Sequence, residues 1–343
     1  MGIGYILLAI LVFGILIFIH EFGHFICARK CGVEIKEFAI GMGPKILQWK
    51  SKEYNTQYSL RLLPIGGYVS MLGEDEESDS ENSFSKKSVW QRLLIIAAGP
   101  VMNLILGFIV MVIMVCLIGN LYSNTIYYND DVVAISQSCG LQDGDTITKV
   151  GNTRIHTWYE LSYEVMNQGY EPIDITVKRN GETIKFEDVV FPTKENSGVL
   201  FGDVDFWPQT EEFTVLGVIK HSFFRGVSTV KMVVDSFVDL IGGRFGIDSM
   251  SGPVGITQAI GGAASLGFIY FLYMFSIITI NLGVFNLLPI PALDGGRLLF
   301  LFVEAILGRP LNRKIEGYVH FIGLILILGL ALYVTFNDIL RLF

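Results

Sequence analysis

Two of the five histidines stand four residues apart in FIHEFGHFICARK, Phe18 to Lys30, as His20 and His24 with Glu21 beside the first. Residues i and i+4 of a helix lie one above the other, so both imidazoles can face one ion. Neutral imidazole is a good zinc ligand, and the adjacent carboxylate is placed to act as a base toward water held there. The bland reading is a polar cluster at a helix end. Against it stands the setting, because Ile3 to Ile19 carries no charge at all. Ionisable groups at membrane depth are costly and mark function.

The elements that must position this motif follow from composition. The chain has 343 residues, of which 51% are hydrophobic and 17% charged, with a mean hydropathy of +0.51. An average soluble chain is about a quarter charged, so this is a membrane protein with a modest soluble part. A net charge of -8 gives no basic face, which excludes nucleic-acid binding. Cys27, Cys31, Cys116 and Cys139 form no disulfide framework. Cys27 and Cys31 lie past the histidines along the helix and read as ordinary thiols.

Four runs suit a bilayer core of about 30 Å: Ile3–Ala28, Leu93–Ile118, Phe268–Leu288 and Val319–Phe336. No Lys or Arg precedes Arg29, so the first run is expected to stay in the protein rather than be cleaved as a leader. Nine Lys and Arg residues fill the loop from Arg29 to Arg92, short of Arg92 itself, and Arg297, Arg309, Arg313 and Lys314 follow the third span. Positive-inside logic puts both loops in the cytoplasm and both termini outside.

Zinc needs a third protein ligand and an open position. Asp294 is the one carboxylate in NLGVFNLLPIPALDGGRL, Asn281 to Leu298, and falls on the same membrane side as His20 and His24. Asp-Gly-Gly alone reads as a turn; together with the histidine pair it reads as a ligand. Asn281 and Asn286 are polar within an apolar helix, suited to substrate backbone or to bonds between helices.

Between the first two spans, Tyr54 to Met71 is apolar yet broken by Pro64, Gly66 and Gly67, which predicts a β-hairpin at the membrane boundary. Glu74 to Asn82 is an acidic, solvated linker. Short β-rich runs from Leu121 to Phe206, including DVVAIS, with a GLQDGD turn and a helix near Trp158–Asn167, predict a small β-rich domain. Apolar spacing from Phe223 to Ile241 predicts an amphipathic helix, lying on the membrane or on that domain. There is no internal repeat.

HEFGH, LPIGGYV, AAGPVMN, SGPVGI and NLLPIPALDGGRL together resemble the site-2 proteases, bacterial intramembrane zinc metalloproteases. The resemblance implies Zn2+ bound by His20, His24 and Asp294, with Glu21 as general base. It implies that Asn281 and Asn286 position substrate backbone, and that Leu62, Pro64, Gly66, Gly67 and Tyr68 pair with an unwound substrate. GLQDGDTITKVGNTRI resembles a PDZ domain, and one such module is counted.

The expected fold is a polytopic α-helical membrane protein with four transmembrane helices, a membrane-associated β-hairpin and an inserted PDZ-like domain. The expected division is 1–120, 121–206, 207–263 and 264–343. The expected function is cleavage of single-span membrane proteins, such as anti-sigma factors or signal-peptide remnants, already trimmed by another protease. The location implied is the bacterial cytoplasmic membrane, with both termini and the PDZ-like domain outside. An intramembrane zinc transporter or sensor would need several ligand sets along a path, and one set is visible. A membrane-anchored PDZ scaffold would have no use for Glu21.

Overall fold

The computed structural model describes residues 2–74, 78–129, 134–196 and 198–341. Element order is α1 (Ile3–Lys30), β1 (Ile35–Lys50), β2 (Gln57–Met71), α2 (Val89–Ile118), β3 (Leu121–Tyr127), α3 (Ile135–Ser138), β4 (Thr146–Val150) and β5 (Thr153–Arg154). It continues through α4 (Trp158–Gln168), β6 (Ile173–Arg179), β7 (Glu182–Val189), β8 (Thr193–Asn196), β9 (Val199–Gly202) and β10 (Trp207–Glu211). Last come α5 (Val215–Ile241), α6 (Pro253–Leu266), α7 (Phe268–Leu287), α8 (Asp294–Leu307) and α9 (Arg313–Leu340). Four helices are long and apolar enough to cross a membrane: Ile3–Lys30, Val89–Ile118, Phe268–Leu287 and Lys314–Leu340. They make this a multi-pass membrane protein. The chain divides into two units, 1–107 with 250–343, and 108–249.

In the first unit, α1 needs no cap chemistry of its own, since seventeen uncharged residues leave the backbone no partner in lipid but itself. Arg29 and Lys30 stand in its last turn, opposite the negative end of the helix dipole. Lacking a hydrophobic drive within lipid, the spans meet where side chains are smallest. A Cβ on Gly23 would overlap the Ala98 carbonyl of α2, and one on Gly107 would come within 2.5 Å of Ile280 on α7.

The β1–β2 sheet is more than the hairpin expected from 54–71. Residues 57–60 face 47–50 on one side and 37–40 on the other, while 37–40 also faces 67–70. The flanks of Gly66 therefore do not pair with each other; the 37–40 segment lies between them. Burial decides this, because Ile35, Phe38, Val69 and Met71 share one core with Phe25 and Ala28 of α1 and with Ile95 and Ile96 of α2. The 67–70 segment becomes an outer edge, and among the described residues no other strand pairs with it. Met42, Leu47, Trp49 and Leu62 are each more than half exposed, an apolar surface that a water-facing sheet rarely carries. Glu37 accepts from Ser59 (2.6 Å) and Arg61 (3.0 Å), and Lys45 is at 3.1 Å. Burial alone would raise its carboxyl, but these partners and Tyr68 push it down to about 2. That contribution to the sheet is present above the ordinary carboxylate range and lost as pH falls from about 4.5 toward 2. The Pro64 side chain lies outside the described residues, as do residues 75–77 of the acidic stretch.

The second unit holds a six-stranded sheet in the order β10-β3-β4-β6-β7, with β5 beside β4, and a separate β8–β9 pair. Its core includes Ile126, Leu141, Ile147, Leu161, Val165 and Ile175. The GLQDGD turn uses Gly140 (φ 105°) and Gly144 (φ 83°) to reverse the chain. Fully buried Asp145 ties it to β6, accepting from Arg179 at 2.7 and 2.8 Å. Of DVVAIS, residues 131–133 lie outside the described residues, and Ile135–Ser138 is a helical turn rather than strand. The amphipathic helix starts at Val215, eight residues earlier than its apolar spacing suggested, because Thr214 caps it by accepting from the Gly217 amide. Of the two placements open for it, it packs on α4, where Lys231 and Asp235 meet Glu164 and Tyr163.

Candidate metal centre

His20 and His24 are adjacent turns of α1, with Nε2 atoms 3.2 Å apart. Asp294, the first residue of α8, brings Oδ2 to 3.0 Å from His20 Nε2 and 3.4 Å from His24 Nε2. The three side chains are the group of potential metal ligands among the described residues. All belong to the first unit.

The outer ring nitrogens are held by α2. His24 Nδ1 lies 2.9 Å from the Ile95 carbonyl, an acceptor only, so Nδ1 carries the proton and Nε2 a lone pair. His20 Nδ1 lies 3.3 Å from the amide of Asn103, which is fully buried. With the amide nitrogen toward the ring, Asn103 Oδ1 has no partner. Turning the amide over lets Oδ1 accept from Nδ1–H, and the His20 lone pair then also faces Asp294.

These residues fit a zinc ion. Asp294 Oδ2 is buried and receives no hydrogen bond despite its two close nitrogen neighbours. Three acceptors converging in a buried site repel one another unless a cation stands among them. Zinc bonds of about 2.0–2.1 Å give tetrahedral edges near 3.3 Å, against the observed 3.0, 3.2 and 3.4 Å.

A cavity of about 410 Å³ opens on these atoms, lined also by Glu21, Tyr68, Val69, Ser70, Met71, Glu74 and Arg297. Glu21 and Val69 stand on the same cavity wall. Gly67 lets β2 approach this closely, since a Cβ there would sit 3.3 Å from Glu21 Cγ and 3.0 Å from the Ala39 carbonyl. Arg297 and Glu74 form an ion pair at the cavity wall. Of the residues expected to hold substrate, Tyr68 lines the cavity and Gly66 and Gly67 precede it on β2. Leu62 is exposed on the sheet, Asn281 is exposed on α7 and Asn286 is half-buried; none of the three lines the cavity. Cys27 and Cys31 are free thiols away from it.

Three contributors escaped the sequence reading. Asn103 was visible as the polar residue of AAGPVMN, but nothing in one sequence says which histidine it faces. Gly99, from the same segment, leaves the space that His24 fills, since a Cβ there would overlap His24 Nε2. His320 is the third, a lone histidine in the last span whose Nδ1 accepts from the amide of Ala292, two residues before Asp294. Gly99→Ala is expected to displace the His24 ring and weaken zinc binding by at least about 10–100-fold, with overpacking destabilisation of about 1–3 kcal/mol. Chelator competition on the purified protein checks this, and wild-type affinity would show that the ring can retreat without loss.

The model of peptidase family M50 matches residues 8–330. A Clostridium acetobutylicum protein is 39% identical over 337 residues, covering 97% of each chain. The regulator of sigma-W protease RasP of Bacillus subtilis is 32% identical, covering 97% of this chain and 98% of its own. The zinc metalloprotease RasP of Geobacillus kaustophilus is likewise 32% identical, covering 97% of both. Motif, ligand geometry and match over nearly the whole length agree, and the chain belongs to peptidase family M50.

Proposed function

We propose that this zinc metalloprotease cuts single-span membrane proteins at or within their membrane segment, using His20, His24 and Asp294 to hold zinc and Glu21 as general base. The observation that carries this reading is the meeting, in one cavity, of the three converging donors, Glu21 and an unpaired strand edge at 67–70. Zinc, when bound, polarises the scissile carbonyl and makes water nucleophilic at neutral pH. Glu21 takes the water proton and returns it to the leaving amine. A helical substrate hides its carbonyls in its own hydrogen bonds, so it must first be extended. The 67–70 edge replaces those bonds with intermolecular ones, strand to strand. The exposed apolar residues of the sheet suit a place at the lipid boundary. Asn281 and Asn286, outside the cavity, satisfy substrate backbone farther along.

The placement inferred from the basic loops puts the zinc motif near the cytoplasmic side and both termini outside. The sheet of the second unit, with its glycine turn and α4, is read as a PDZ-like domain, also external. A relative's name, regulator of sigma-W protease, supports substrates of the anti-sigma type. A transporter would use several ligand sets, and one is found among the described residues.

The domain follows the second span directly and leads into α5, which suits a filter on external bulk. Purified protein in lipid, given one single-span substrate with its external part shortened in steps, is expected to cut the short form at least about tenfold faster than the long one, a difference of about 1.4 kcal/mol in barrier. Equal cleavage of all lengths would defeat the filter, and no cleavage of any would defeat the protease reading.

A further inference from the structure

The loop that delivers Asp294 is held from the last helix. Ala292, two residues before Asp294, has φ 74°, a region that residues without a local hydrogen-bonding side chain rarely enter. Such a conformation persists where the surroundings over-determine it. Two residues of α9, three apart and therefore on one face, meet this loop. His320 Nδ1 accepts from the Ala292 amide at 2.9 Å. Gly323 leaves room for Pro291, which a Cβ there would overlap. The His320 ring also lies against Phe300 of α8, with centres 5.7 Å apart. One imidazole thus touches the chain on both sides of the Asp294 carboxylate: the loop before it and the helix after it.

The tautomer adds weight. Accepting at Nδ1 leaves the proton on Nε2, which is buried with no hydrogen-bond partner. A buried unpaired donor is costly, and an apolar side chain would avoid it. What the imidazole supplies in exchange is the acceptor for Ala292. The helix that carries it is otherwise thinly packed, with 11% of its apolar window buried.

We propose that His320 is a positioning residue of the zinc site: its Nδ1 clamps the Ala292 amide in the left-handed conformation and so aims Asp294 at His20 and His24. It touches neither the metal nor the substrate, and acts through the loop. The inference rests on the ligand assignment above. Zinc affinity, by chelator competition on the purified full chain in detergent, tests it in wild type, His320→Leu, His320→Asn and His24→Ala, beside the thermal midpoint of each metal-free protein. His320→Leu is expected to bind zinc about 10–100-fold more weakly, the usual loss for an outer partner. His320→Asn, whose Oδ1 stands where Nδ1 does and can accept from the same amide, is expected to recover most of that loss. Wild-type affinity in His320→Leu overturns the proposal, as does a His320→Asn variant no better than Leu. If His320→Leu fails to fold, Gly323→Ala decides: weaker zinc binding supports the clamp, and unchanged binding overturns it. Unchanged binding in His24→Ala would overturn the ligand assignment instead.

Discussion

Glu21→Gln is expected to leave zinc bound and lower turnover of a single-span substrate by about 10²–10⁴-fold. The amide keeps the size of the carboxylate, so the close packing of residue 21 against Gly67 of β2 survives. What it loses is the ability to take a proton from water and give it to the departing amine. Single-turnover cleavage with enzyme in excess isolates this step from product release, and metal content measured on the same sample removes the trivial explanation. Cleavage within tenfold of wild type would mean that another group is the base. Glu74, which lines the same cavity, would then be the first to substitute.

The metal itself carries the other large effect. Wild-type protein is expected to hold about one zinc per chain, a stoichiometry that His24→Ala abolishes and Asp294→Ala weakens. The difference follows from the surroundings. His24 is 7% exposed, and its Nδ1 bond to Ile95 already fixes the lone pair toward the ion; no water could replace a ligand so enclosed without new partners. Asp294 stands at the start of α8 on the wall of the cavity, where water can take its place. Metal analysis after dialysis checks both variants, and full occupancy in the double variant would sink the ligand set.

The sequence exposed the chemistry more readily than its support. HEFGH declares its geometry through helical spacing alone, and Asp294 stands out as the one carboxylate in its stretch. The four spans were readable because lipid forces twenty apolar residues in a row. The β1–β2 sheet was misread as a simple hairpin because its register depends on which apolar residues find the core under α1, a fact no local pattern carries. The early start of α5 was missed although Val215, Val218 and Ile219 extend its apolar spacing toward the N-terminus, and Thr214 is the residue that caps it. Asn103 and His320 act through partners 83 and 28 residues away, a separation that spacing rules do not reach.

The open edge beside Glu21 is four residues long, 67–70. At about 3.3 Å per residue such an edge pairs with roughly 13 Å of extended chain, and its four residues are close in number to the 3.6 or so of one helical turn. On the proposed function, a bound segment needs to melt locally, over about a turn, while the rest of its helix persists in lipid. Cleavage should then be governed by how willingly one turn of the substrate frays, and glycine, asparagine or proline near the cut would act as a tempo mark written into the substrate's own membrane helix.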